Sequence, residues 1–226
     1  LTSFDPAPVD DGPVSEKPYQ RCPDELRDPI WNAGRFTAHQ FFRVAAWKSA
    51  QGLGLLTLNS EAEIAEGTEN AIAAIRGWRN TNILTEAVDW EAWNLAVATA
   101  IGRKGEPGEA VPSGTGLLRL SGVGYPRATS FLAFLAPAAF PVIDQWTVKA
   151  IYGDQVYRNG KWRRAAVYKH FTNELVSNAH HFPSCSTVHR VDQMVMDIAM
   201  ECERKYGHVT RPCSCYPTRW PVPLPV

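Results

Sequence analysis

Apolar residues recur at three- and four-residue intervals through most of this chain, with polar residues between them, the pattern of helices that bury one face. Over residues 37–50, Phe41, Phe42, Ala45 and Ala46 fall on one side behind a Thr cap, which predicts an amphipathic helix ending near Trp47 and Lys48. Ser60-Glu61-Ala62-Glu63 has the form of a capping box, and Ile64, Ala71, Ile72 and Ile75 give the following helix an inner face as far as Trp78. The same spacing predicts a helix over 88–101 that buries Trp90, Trp93, Leu95 and Val97, and two closing helices over 165–181 and 188–206. The single β signal is Asn159-Gly160, a turn pair that predicts a small hairpin. The predicted fold class is all-α.

Three stretches interrupt the pattern. Residues 1–30 contain four Pro before Cys22, scattered acids and no periodicity, and read as an extended acidic leader. Residues 103–113 are loop by composition, and 211–226 hold five Pro in sixteen residues, a Pro-rich tail. The body therefore spans 31–210. With 45% apolar residues in 226, it can bury a full core.

Charge changes this picture a little. The formal net charge is zero, which argues against coating nucleic acid by bulk electrostatics. Yet residues 1–30 carry seven acids and three bases, which leaves a net +4 on the remainder and permits a local basic patch. Eight Trp serve either as core or as faces on which unpaired bases stack. Five irregularly spaced Cys do not form a disulfide framework, and no signal-peptide pattern or membrane-spanning run is evident. The cysteine usage predicts a reduced, cytosolic protein with no membrane partner, and a monomer is expected, cytoplasmic in a bacterial-type cell or associated with the nucleoid. Cys202, His208, Cys213 and Cys215 lack finger spacing, so a tail with free thiols is preferred over zinc. His170, His180, His181 and His189 read as surface or cap residues.

The chemistry concentrates in residues 120–153. Gly122-Val123-Gly124 makes a tight turn between a short apolar helix and a second helix over 128–135, and the hairpin region spans 117–137. Such a turn either joins two packed helices or presents backbone amides to a phosphate. Twenty residues beyond Gly124 stands Asp144, opening a further helix with Thr147 three positions on. It is an N-cap, a functional carboxylate, or both. Beyond it, Arg158, Lys161 and Arg163 flank Asn159-Gly160 in the most basic stretch of the chain, a solvated face or a phosphate contact.

Leu120, Gly122, Val123, Gly124, Ala128 and Asp144 together resemble the helix-hairpin-helix DNA glycosylases of base excision repair, the HhH-GPD superfamily. That motif is an L-x-G-V-G hairpin, a helix, and an Asp about twenty residues past the hairpin glycine, and the likeness covers about 35 residues. The resemblance implies a two-lobed helical fold with its site in the cleft between the lobes. Its hairpin, here Gly122, Val123, Gly124 and Arg127, holds a phosphate of double-stranded DNA, often through a monovalent cation, and its Asp, here Asp144, serves hydrolysis of the base-to-sugar bond. No other cofactor is required, and the closely spaced four-cysteine iron–sulfur cluster of some relatives has no counterpart here. Trp47, Lys48, Trp146, Arg158, Lys161 and Arg163 are the candidates for the base pocket or DNA contact, and Asn80-Thr81-Asn82 is either a wedge into the duplex or a plain helix connection.

One departure bears on mechanism. Strand-cleaving relatives carry a Lys shortly after the second glycine, where this chain has Tyr125 and Pro126, and Arg127 stays protonated. The resemblance thus implies a monofunctional enzyme that uses water, without strong lyase action at abasic sites. Lys48 and Lys149 are the other amines near the motif, and sequence distance alone does not keep either from the sugar. The base itself is open: oxidised or alkylated purine, mismatched pyrimidine, or a modified pyrimidine such as the hypermodified bases of phage DNA. Two rivals stand beside this expectation. One is a non-catalytic DNA-binding hairpin module, and the other a structural protein whose Gly turn serves packing alone.

Overall fold

The computed structural model describes residues 22–49, 52–102, 116–207 and 220–225, and every regular element among them is helical. In chain order these are α1 (Arg27–Ala33), α2 (Ala38–Lys48), α3 (Leu53–Leu56), α4 (Glu61–Ile75), α5 (Trp90–Ile101), α6 (Tyr125–Leu135), α7 (Gln145–Tyr152), α8 (Asp154–Asn159), α9 (Ala165–Asn178) and α10 (Val188–Tyr206). Short 3-10 turns lead into α1 and α6 and follow α4 and α9. No helix among the described residues is long and apolar enough to cross a membrane.

Capping chemistry sets several boundaries. Thr37 and Gln40 form a reciprocal capping box at α2, and Ser60 and Glu63 form another at α4. α6 is the most enclosed helix, with Ala128 and every residue from Phe131 to Leu135 buried among the others. It packs against α1, α2 and α5, while α4 packs on α5, α5 on α9 and α7 on α10. An aromatic cluster joins α2 to α6, with Phe41 and Phe131 parallel at 4.8 Å and Phe36 edge-on to both. Trp93 on α5 packs against Phe140 and Tyr168 and donates its indole N–H to the Ala139 carbonyl at 3.0 Å. The buried face of α5 is Trp93, Ala96, Val97, Ala100 and Ile101.

Three expectations change. Leu95 is 63% exposed, because it lies about 200° around the axis from Trp93 and so cannot share the buried face. Asn159-Gly160 makes no hairpin: Asn159 ends α8 and Gly160, in the left-handed region at φ 68°, terminates that helix. α1 begins inside the stretch expected to be an extended leader. Its buried Ile30 and Trp31 are too few to show a periodicity, but the Trp31 indole N–H reaches the Leu135 carbonyl at 2.9 Å and anchors it. The leader before Cys22, the loop 103–113 and the tail up to 219 lie outside the described residues. Trp220, near the end of the tail, is buried with its indole N–H on Glu174 at 3.0 Å.

Candidate active site

Asp144 owes its position to two local constraints. The first is that it caps α7: one carboxylate oxygen, Oδ1, accepts from the amides of Trp146 (2.9 Å) and Thr147 (3.2 Å), while the Thr147 hydroxyl accepts the Asp144 amide at 3.0 Å. The second is the extended segment before it, whose Ile143 amide donates to the Thr129 hydroxyl of α6 at 3.3 Å. The carboxylate is thereby fixed relative to the helix that follows the glycine turn. Its second oxygen, Oδ2, accepts from Lys48 Nζ at 2.8 Å. The pair joins the C-terminal end of α2 to the N-terminal end of α7, so each charge also faces the helix end that favours it.

Around this pair lies a pocket of about 130 Å³ lined by Trp47, Lys48, Asp144, His189, Asp192 and Gln193, with Val142, Thr147 and Met196 completing it. Trp47 leans on Phe134 of α6 and meets the His189 ring edge-on at 5.9 Å. His189 is a correction to the sequence reading: it is buried in the first turn of α10, not a surface or capping residue. Its Nδ1 bonds Asp192 Oδ2 at 3.0 Å, and Asp192 also accepts the Val142 amide. Burial pushes the Asp192 carboxyl above the usual carboxylate range, while His189 and the Val142 amide pull the other way. The His189–Asp192 spacing of three residues is a helical contact spacing, and it is the signal by which the pair was detectable.

The hairpin is built as follows. Gly122 has φ 76°, and a Cβ there would approach Leu55 Cβ to 2.9 Å and the Leu56 amide to 3.0 Å, so α3 packs directly onto the turn. The Val123 amide is used inside the turn, on the Leu120 carbonyl at 3.1 Å. Gly124, by contrast, has φ −94° and nothing nearer than 4.0 Å to a Cβ, so it does not need to be glycine for backbone strain or local packing. It caps α6 without any side-chain cap bond, and it is exposed. Arg127 turns inward and donates to the Gly122 carbonyl at 2.5 Å, bracing the turn.

Of the remaining candidates, Trp47 and Lys48 line the pocket and Trp146 does not. The Trp146 ring instead carries Lys149, whose ammonium sits 5.2 Å from its centroid and 5.5 Å from that of Tyr157 and pairs with Asp154 and Glu203. Arg158 pairs with Asp154, and Lys161 and Arg163 are exposed beside it, the latter over Trp162. None of these three lines the pocket. Asn82 is tied to the Ser186 carbonyl at 3.1 Å and its amide to Glu86 at 2.8 Å, which makes 80–82 a braced connection. Among the described residues no group of three or more His, Cys, Asp or Glu is arranged to hold a metal, and three of the four residues weighed for zinc lie outside them. Comparison with known proteins finds no family model, no curated protein and no solved structure that matches this chain.

Proposed function

We propose that this chain is a DNA glycosylase with the two-lobed helix-hairpin-helix architecture, which extrudes a modified or damaged base from double-stranded DNA and hydrolyses its bond to the sugar. The observation that carries the reading is Asp144. A helix-capping carboxylate has no need of a pocket, yet this one opens onto a pocket walled by an indole, an imidazole and an amine. Breaking an N-glycosidic bond develops positive charge on the sugar, and a carboxylate fixed in advance stabilises that charge and orients a water. Its fixing is complete before substrate arrives, since Oδ1 is held by two amides. The indole of Trp47 offers a face to a flipped base, which offsets part of the cost of unstacking it.

The turn at Gly122 and the open end of α6 at Gly124 supply the second half of the reading. Amides at an uncapped helix start favour a phosphate, directly or through a monovalent cation. The exposed Arg158, Lys161 and Arg163 add a basic edge for the backbone of the same duplex. The test is incubation with a panel of modified duplexes followed by alkali, with strand breakage as readout. Base release that is lost in Asp144→Asn while duplex binding persists supports the enzyme. Binding without release from any duplex, unchanged by Asp144→Asn, identifies a non-catalytic DNA-binding module instead.

A further inference from the structure

Among the described residues, Lys48 is the lysine that lines the pocket. Lys149, the amine closer to Asp144 in sequence, is held between two rings and two carboxylates, and Lys169 is paired with Glu91 at 2.5 Å. The hairpin offers none, because Tyr125 and Pro126 open α6. Lys48 is 20% exposed, with Nζ 2.8 Å from Asp144 Oδ2, a separation across which a proton passes directly.

We propose that Lys48 is a covalent residue of this site: its amine condenses with the aldehyde of an abasic deoxyribose. The inference rests on the glycosylase reading and adds a second step to it. Hydrolytic base release leaves a hydroxyl on C1′, and opening of that hemiacetal gives the aldehyde. The Lys48 ammonium passes one proton to Asp144. The free amine adds to C1′, and the alkoxide so formed takes a proton from the nitrogen. Protonated Asp144 returns its proton to the C1′ hydroxyl, which leaves as water while the nitrogen lone pair closes the C=N bond. An ammonium and an aldehyde thus become a protonated imine and one water, and Asp144 is regenerated. The 2.8 Å contact between Nζ and Oδ2 is thus the route by which the amine is freed for attack.

The test uses the full chain and a duplex with one true abasic site, made by enzymatic removal of a single uracil, in the presence of borohydride. Borohydride reduces an imine to a stable secondary amine. The expected result is a covalent protein–DNA adduct whose peptide mass maps it to Lys48. It is absent from Lys48→Arg, which keeps the charge, and forms at least about 10²-fold more slowly in Asp144→Asn. Lys48→Arg melts within a few degrees of the parent, which shows that the variant remains folded, and the parent binds a duplex with a tetrahydrofuran abasic analogue, which has no aldehyde, without forming an adduct. No adduct despite tight binding of that analogue overturns the role of Lys48 and leaves the glycosylase reading standing. An adduct on another lysine also overturns it. Failure to bind either duplex overturns both.

Discussion

Helices α6 and α7 begin in opposite ways, although they stand one after the other along the chain. α7 closes its own end: Asp144 occupies the first-turn amides and Thr147 reciprocates. α6 has Gly124 at the corresponding position, no side-chain cap and no acidic residue in its first turn. Every helix start leaves amides that need an acceptor. Where the chain supplies the acceptor, the carboxylate becomes a rigid, directed group. Where it does not, the end is left to solvent or to an anion from outside. One helix start therefore fixes a carboxylate in place, and the other has no side-chain acceptor of its own.

Asp144→Asn breaks the first of these with the largest effect. Asn still caps α7, so the fold persists, but the charge is gone. Base release should fall by at least about 10²-fold, measured under single-turnover conditions, while duplex binding changes little. An Asn variant that turns over within about tenfold of the parent removes Asp144 from the chemistry.

Gly122→Val should act on folding. The left-handed conformation costs an L side chain about 1–2 kcal/mol, and overpacking against Leu55 and Leu56 adds about 1–3 kcal/mol, so Tm should drop by several degrees. Gly124→Asp sharpens the contrast from the other side. The backbone there already has extended capping geometry, so Asp should gain a few tenths of a kcal/mol as a cap. At the same time its carboxylate fills the place of the proposed phosphate contact, and on that proposal duplex affinity falls on the order of tenfold for every sequence tested. Equal affinity in a mobility-shift assay, with raised or unchanged Tm, would mean that this helix end does not face DNA.

The smallest effect concerns a third helix start, α4, which serves as a control remote from the proposed chemistry. The Ser60 amide, and then its hydroxyl, hold the Glu63 carboxyl below its ordinary value. A group depressed in the folded state contributes stability above its unfolded pKa and loses it as pH falls through the folded value. Glu63→Gln should thus melt slightly earlier than the parent at neutral pH and together with it once both side chains are neutral in acid. Base release should be unaffected.

Much of the helical layout was readable because capping and spacing are local. Thr37, Ser60 and Asp144 announced three helix starts, and the run from Gln145 to Tyr152 is helical as its pattern predicts. The misreadings came where local signals compete. Asn-Gly favours a hairpin turn, but the same left-handed glycine also ends a helix, and only the preceding helical turn of α8 decides between them. Leu95 shows the limit of counting apolar residues without placing each one on the helical wheel.

The sequence by itself determined that this is a helical chain, that a glycine turn precedes an enclosed helix, and that one carboxylate stands at a helix start beyond it. Each of these follows from bonds between residues a few positions apart. Only the tertiary structure decided what surrounds that carboxylate. Lys48 lies 96 positions away in sequence yet 2.8 Å away in space, and His189 and Asp192 arrive from the last helix of the body. Trp47 rather than Trp146 faces the pocket, because the packing of α2 on α6 and of α10 on α7 turns those side chains toward one another. Periodicity specifies that a helix has a buried face, but which helix it is buried against depends on the whole core closing at once.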